Sequence, residues 1–430
     1  MSKITNEQIE QNFAEIHPLL TQPEANLEAN RCLYCYDAPC TGACPTHIDV
    51  PAFIKKIASG NLKGSAKVIF DANPIGSSCA KVCPVEVLCE GACVEKTLVK
   101  QPIQIGRLQR YATELALQSG KVLFEKGLPN GKSVGIIGSG PAGLSCATYL
   151  ARLGYAVTVY EKRELAGGLD TYGMAEYKMT KAHSLEEVKQ VEGLGVEFKL
   201  NTEITNLDEL TAKNDAVFLA IGLGKTNQLN ISGEDKDGVM DALHFIEKIK
   251  TRDWQSVPNG KTVAVIGAGN TAIDAVTQAK RLGAEKAILV YRRTEKDAPA
   301  YDYEIELAKS DAIEFAWQHT PIEILGKGKV TGLKCQKADG TEIEINCDLV
   351  IKAIGQQKQV EFLQQLGLSL DEKGRVAVNE SMQTSNPKVF AGGDCVNGGA
   401  EAVDAAQMGK KAAIGIHESL FGEKVKFAGS

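Results

Sequence analysis

Eight of the 12 cysteines in this 430-residue chain fall between Cys32 and Cys93, and only Cys146, Cys335, Cys347 and Cys395 lie elsewhere. Such a density needs a local cause. The opening MSKITNEQIEQNF lacks the charged-then-apolar order of an export signal, so a cytoplasmic, reducing setting is expected, where clustered cysteines point to metal rather than disulfides. The runs read Cys32-x2-Cys35-x4-Cys40-x3-Cys44-Pro45 and Cys79-x3-Cys83-Pro84-x4-Cys89-x3-Cys93. Zinc sites pair short CxxC or histidine hooks, and His47 alone of the six histidines lies near either run. Four close cysteines with a Cys-Pro step instead suit two iron–sulfur clusters, the last cysteine of a run serving the other cluster, with zinc as the alternative.

Residues 1–128 carry these cysteines among short amphipathic patterns, NEQIEQNFAEI and IGRLQRYATELALQSG, whose three-to-four spacing predicts helices. FEKGLPNGKS then has the composition of a linker. Two apolar runs open glycine-rich turns, SVGIIGSGPAGLSCATYLARLGY at 133–155 and TVAVIGAGNTAIDAVTQAKRLGA at 262–284, and each is followed by a second strand, AVTVYEK at 156–162 and AILVYRR at 287–293. That is the βαβ order of a parallel sheet, written twice. DAVFLAIGLG at 215–224 and DLVIKAIGQQ at 348–357 add further strands. The formal charge of -6 lacks the basic face a nucleic-acid binder needs, and no stretch approaches the ~20 apolar residues of a membrane span.

In the first turn, Gly138 permits the sharp bend, Gly140 lets backbone approach a pyrophosphate, and Gly143 lets helix and strand pack closely. Ser139, Pro141 and Ala142 fill the motif, and the helix N-terminus offers unpaired N–H groups to phosphates. Glu161, 23 residues after Gly138, ends the second strand, where a carboxylate accepts from a ribose diol. A distant VFAGGDCVNGG, with Gly393-Asp394, resembles the second FAD fingerprint of flavoproteins with two dinucleotide sites, which assigns FAD to this turn together with Gly168. Taken alone, Asp394 reads as a helix N-cap. The second turn, Gly267-Ala268-Gly269-Asn270-Thr271-Ala272, lies between the two FAD motifs and marks a nested NAD(P)H site. After its second strand stand Arg292 and Arg293 where an NAD site places an acid; guanidinium groups there favour the 2′-phosphate of NADPH, the ordinary alternative being solvated arginines. Lys296 reads as solvated. The expected fold is α/β: an all-helical double [4Fe-4S] domain (1–128), then nested Rossmann-like domains for FAD (129–227 and 357–430) and NAD(P)H (228–356).

EANRCLYCYDAPCTGACP, CAKVCPVEVLCEGAC and PIQIGRLQRYATE together resemble the N-terminal half of dihydropyrimidine dehydrogenase, in the wider family that includes the glutamate synthase small subunit. The resemblance spans essentially the whole chain. It implies that Cys32, Cys35, Cys40 and Cys93 hold one [4Fe-4S] cluster and that Cys44, Cys83, Cys89 and Gln109 hold the other. Spacing alone nominates no role for Gln109; glutamine in IGxLQ is the dehydrogenase form, and glutamate there the glutamate synthase form. Cys79 is left as a spare buried thiol and Cys146 as a core residue. Asn270 departs from the GxGDTA of many relatives.

The same resemblance implies a redox route. Nicotinamide gives up a hydride pair, a cluster takes single electrons, and FAD converts between them. Pyrimidine reduction in that family belongs to an FMN-containing barrel, which needs about 250 residues, so an FMN-containing catalytic partner subunit acting on uracil or thymine is expected; a glutamate synthase small subunit is the alternative. No catalytic side chain is assigned on this chain. Arg292→Ala is expected to lower kcat/KM for NADPH about tenfold relative to NADH, the scale of a lost charge-assisted hydrogen bond; an unchanged ratio rejects the assignment.

Overall fold

Side-chain caps start several helices of the cysteine-rich segment in the computed structural model, which describes residues 4–120, 123–251 and 253–430. Of the 1–128 segment, residues 1–3, 121 and 122 therefore lie outside the described residues. Thr21 and Glu24 form a reciprocal capping box at Gln22–Asn30. Asp49 accepts from Ala52 N at 3.0 Å to start Val50–Ala58, and Asn61 accepts from Gly64 N at 2.9 Å to start Leu62–Ala72. With the helix Ile105–Gln118 they bury Phe53, Ile54, Ile57, Ile69, Leu108 and Ala112 in one core.

The chain divides into two compact units. The first comprises His17–Thr171, Ala182–Leu223 and Lys358–Ser430, so the helical segment and one nucleotide-type sheet belong to a single body. That sheet holds β1 (Ser133–Ile137), β2 (Ala156–Tyr160), β3 (Glu197–Lys199), β4 (Ala216–Leu219) and, from the far end of the chain, β13 (Val389–Ala391). Its order is β13-β4-β1-β2-β3, all parallel. Every residue of β4 and β13 is buried, as expected of strands covered on both faces.

The second unit comprises Tyr172–Lys181, Gly224–Gln357 and the opening residues through Ile16. Its parallel sheet holds β5 (Val239–Asp241), β6 (Thr262–Ile266), β7 (Lys286–Tyr291), β8 (Glu314–Trp317) and β12 (Leu349–Lys352), in the order β5-β12-β6-β7-β8. An antiparallel sheet of β9 (His319–Leu325), β10 (Gly332–Lys337) and β11 (Glu342–Asn346) adds to it. The architecture is thus the α/β fold read from the sequence, a helical segment followed by nested Rossmann-like units. One assignment shifts: the NEQIEQN helix, read as the head of the helical segment, buries Ile9 and Phe13 in the core of the second unit, with Phe13 stacked on Trp254 at 5.3 Å. Seven residues cannot bury their own apolar side and take the core available to them.

Two helices remote in sequence fix the first unit. Pro141–Arg152 starts on Gly140 with proline at its head, and it packs against the long helix Ala402–Phe421. A Cβ on Gly409 would sit 2.2 Å from the carbonyl oxygen of Ala142, so only glycine allows the crossing, despite a cost of about 1 kcal/mol for glycine within a helix. Ser145 Oγ donates to Ala406 O at 2.6 Å beside it. Gly409→Val is expected to lower the Tm by several degrees, since overpacking costs about 1–3 kcal/mol, and to weaken FAD retention. An unchanged Tm and flavin content would show that the crossing tolerates a side chain.

Candidate functional site

The first glycine turn is jammed against the end of β4: a Cβ on Gly138 would sit 2.3 Å from Ala220 O, and Gly138 has a φ of 98°. Gly143 is equally confined, its Cβ falling 2.1 Å from Gly138 O. Gly140 differs. Its nearest neighbour is the Cα of Gly168 at 3.8 Å, while a Cβ on Gly168 would meet Gly140 Cα at 2.6 Å. The paired glycines leave a backbone-lined cradle at the head of Pro141–Arg152, which fits a pyrophosphate. Glu161 is buried beside it, accepting from Ser139 N at 3.1 Å and Ser139 Oγ at 2.6 Å through Oε2, and from Arg163 N at 2.9 Å through Oε1. The second motif meets the first here, because a Cβ on Gly393 would lie 3.2 Å from Ala142 Cβ. Asp394 heads a short helix, Asp394–Asn397; its Oδ1 accepts from Ala400 N at 3.3 Å, and burial raises its carboxyl above the ordinary range.

In the second unit the turn after β6 repeats this geometry. Gly267 has a φ of 134° and its Cβ would meet Ala353 O at 2.2 Å, whereas nothing lies within 4 Å of a Cβ on Gly269. Ala268 is buried, Asn270 Oδ1 accepts from Tyr301 N at 3.1 Å, and Thr271 is exposed on the first turn of Asn270–Arg281. Arg292 and Arg293 stand exposed directly after β7, and among the described residues neither forms an ion pair. The turn therefore has an open face and two exposed guanidinium groups nearby, that of Arg293 within electrostatic reach of Asp297.

All 12 cysteines are free thiols. Cys32, Cys35, Cys40 and Cys93 line one cavity together with Ile54 and Ile103. Cys83 lies within electrostatic reach of Cys89 and Cys44, and Cys44 and Cys83 pack against the core of the sheet containing β1. Gln109 is buried and donates from Nε2 to Gly76 O at 2.7 Å, at the start of the helix Gly76–Val82 whose C-cap is Cys83. Cys79 is buried and accepts from Asn73 Nδ2 at 3.2 Å; Cys146 is fully buried behind β1. Among the described residues no three Cys, His, Asp or Glu side chains converge as ligands of a single ion do. A four-iron cluster takes each thiolate on a different iron, so its ligands ring a volume rather than a point, and the four cysteines around the cavity fit that donor set. Burial pushes the Cys40 thiol up to about 12, so a metal centre held there would displace a proton.

Sequence reading did not foresee a buried polar network that joins the helical segment to the flavin-type sheet. Glu187 accepts from Ser77 N at 2.7 Å and Ser78 N at 3.1 Å, and the Ser78 hydroxyl donates to its other oxygen. His183 Nε2 meets Ser77 Oγ at 3.0 Å, and Thr171 Oγ1 meets Ser184 Oγ at 2.8 Å, tying the loop of Gly168 to the helix Lys181–Glu192. Burial drives the Glu187 carboxyl up to about 8, opposed by its serine donors. Lys410 was missed as well, although a lysine on the apolar stripe of Ala402–Phe421 was a visible signal.

Residues 132–409 match the pyridine nucleotide-disulphide oxidoreductase family, and residues 9–121 match dihydropyrimidine dehydrogenase domain II with its 4Fe-4S cluster. The chain is 36% identical to the glutamate synthase [NADPH] small chain of Escherichia coli, covering 94% of this chain and 93% of that one. It is 34% identical to the NAD-dependent dihydropyrimidine dehydrogenase subunit PreT of the same organism, covering 96% and 98%. Among solved structures, T. acidophilum thioredoxin reductase aligns with a TM-score of 0.56 at 23% identity over 67% of this chain and 98% of that one, a likeness of fold. FAD, a pyridine nucleotide and a 4Fe-4S centre are accordingly the cofactors of this chain, which is an oxidoreductase. No helix among the described residues is long and apolar enough to cross a membrane.

Because a glutamate titrates near 4.5 when unfolded, the folded chain holds the extra proton on Glu187 between that value and about 8, and stability falls as pH rises through the window. Glu187→Gln removes the titration. Its Tm is expected to fall less than the parent's between pH 5 and 8.5; parallel Tm profiles would show that Glu187 titrates normally.

Proposed function

The chain belongs to the pyridine nucleotide-disulphide oxidoreductase family and carries a dihydropyrimidine dehydrogenase-type 4Fe-4S segment ahead of it, and from that premise we propose that it is the electron-input subunit of a dihydropyrimidine dehydrogenase. It takes a hydride from NAD(P)H, with NADPH favoured by Arg292 and Arg293, and delivers single electrons to an FMN-containing partner subunit that reduces uracil or thymine. One observation carries the redox reading: a cavity of about 880 Å³ is lined both by Asn397, from the helix headed by Asp394, and by Pro45, which follows Cys44. The flavin motif and a cysteine loop thus share one space. Bound FAD supplies the conversion between a hydride pair and single electrons.

Each residue then has a physical task. Gly138, Gly140, Gly143 and Gly168, with Ser139, Pro141 and Ala142, shape the pyrophosphate cradle. Glu161 exchanges a Ser139 donor for the ribose diol, and Asp394 beside Gly393 accepts from the ribityl chain. Gly267, Ala268, Gly269, Asn270 and Thr271 form the matching turn for the nicotinamide dinucleotide. Cys44, Cys83, Cys89 and the Gln109 carbonyl oxygen hold the cluster nearer the flavin, which is supported by Cys83 packing on the sheet core and Cys44 bridging that core and the helical one. Cys32, Cys35, Cys40 and Cys93 hold the outer one, three of them, Cys32, Cys40 and Cys93, packed with the helical core. The division into residues 1–128, 129–227 with 357–430, and 228–356 follows these tasks, save that the opening residues through Ile16 pack with the last of the three.

Gln109 supports the pyrimidine assignment, being the dehydrogenase form of its motif. The 36% identity to a glutamate synthase small chain supports a second reading, in which the same electrons serve an amidotransferase partner. Affinity capture from the native cell separates the two: an FMN protein with uracil-dependent NAD(P)H oxidation is expected, and an amidotransferase would replace the first reading by the second. Cys93→Ala is expected to lose about four irons per chain, retain FAD, and keep flavin bleaching by NAD(P)H while losing one-electron dye reduction. Full iron content in that variant would remove Cys93 from the ligand set.

A further inference from the structure

Lys410 is completely buried on the helix Ala402–Phe421, and its Nζ donates to three backbone carbonyls: Thr46 at 3.1 Å, Ala428 at 2.8 Å and Gly429 at 3.2 Å. Only the ammonium has a donor for each acceptor; a neutral amine has two. Thr46 lies two residues beyond Cys44, whose Sγ is 3.4 Å from Thr46 Oγ1. The other two acceptors belong to a tail that closes over the same place. Phe427 of that tail packs on Tyr149 with ring centroids 4.5 Å apart, and Gly429 approaches so closely that a Cβ would sit 2.1 Å from Thr46 O. His47 is held at a φ of 51°, a conformation non-glycine residues adopt only when their surroundings impose it.

Three carbonyls could be satisfied by neutral donors, so hydrogen bonding alone does not require a buried charge. Desolvation lowers the Lys410 ammonium to about 8, opposed by Cys44 and Asp71. We propose that Lys410 is a positioning residue that clamps the Cys44 loop and the tail to the flavin-side helix, and that its positive charge raises the reduction potential of the cluster ligated by Cys44. The inference rests on the two-cluster reading above. When one electron arrives from reduced FAD, Lys410 faces one more negative charge than before, so its ammonium favours the reduced form, and no bond is made or broken.

The test uses the full-length protein, loaded with its clusters and FAD, in anaerobic redox titrations followed by electron paramagnetic resonance. Iron content is measured in parallel, and Cys44→Ser identifies the signal that belongs to the Cys44 cluster. Lys410→Met and Lys410→Gln, the second of which keeps neutral donors, are expected to shift that cluster's reduction equilibrium about tenfold toward the oxidised form, equal to 59 mV for one electron. The other cluster should keep its potential, and Lys410→Arg should restore most of the shift. Gly429→Ala, which displaces the tail but keeps the charge, should speed proteolysis of the tail and leave both potentials in place. Unchanged potentials in an iron-replete Lys410→Gln protein would overturn the proposal while leaving the two-cluster reading intact. A parent protein without two cluster signals would overturn both.

Discussion

The crossing of Pro141–Arg152 with Ala402–Phe421 is the contact on which the first unit depends. Gly409 brings backbone to backbone at Ala142, and Gly393 rests against the same residue, so two motifs separated by some 250 positions meet at one helix N-terminus. The first brings the N–H groups of a helix N-terminus to this place, and the second brings Gly393 and the buried carboxyl of Asp394. The glycines are unfavourable for helix and strand taken singly. They are favourable only because the assembled site needs the space that a side chain would fill.

Attached to that crossing is the arrangement that makes the chain an electron carrier rather than a simple nucleotide binder. Cys44 and Cys83 pack against the sheet core, Lys410 reaches the carbonyl after Pro45, and Glu187 binds the first N–H groups of the helix that ends at Cys83. Buried polar groups of this kind are costly unless fully partnered, and here the partners come from opposite sides of the junction. The helical segment is therefore held in one geometry against the sheet. Fixed placement is what short-range electron transfer requires.

The second unit repeats the same solution, with Gly267 against Ala353 and an open approach at Gly269. Its sheet likewise sets two strands on either side of the strand before the turn, but the edge strand beyond β12 is β5, which precedes the turn in the chain, whereas in the first sheet it is β13, from the far end. The difference lies at the end of the second strand. Glu161 is buried against Ser139, whereas Arg292 and Arg293 stand in solvent. One strand end presents a buried carboxylate, the other two exposed guanidinium groups.

Local rules were legible in the sequence because they depend on neighbours a few residues away. Cysteine spacing, the two glycine turns, and strand and helix periodicity all act within one or two turns of chain, and they foretold the helical segment and both parallel sheets, whereas the capping residues Thr21, Asp49 and Asn61, equally local, went unread. Placement of the opening helix with the second unit was not legible, since a seven-residue amphipathic helix carries no address for its apolar side. The three-stranded antiparallel sheet went unread for a similar reason, its short strands being defined by one another. Glu187 and Gly409 acquire meaning from residues more than 100 positions away, and so does Lys410 through its bond to Thr46. Sequence determined which chemistry the chain could hold; tertiary packing decided which groups stand beside it, because desolvation and close approach arise only when distant segments exclude water together.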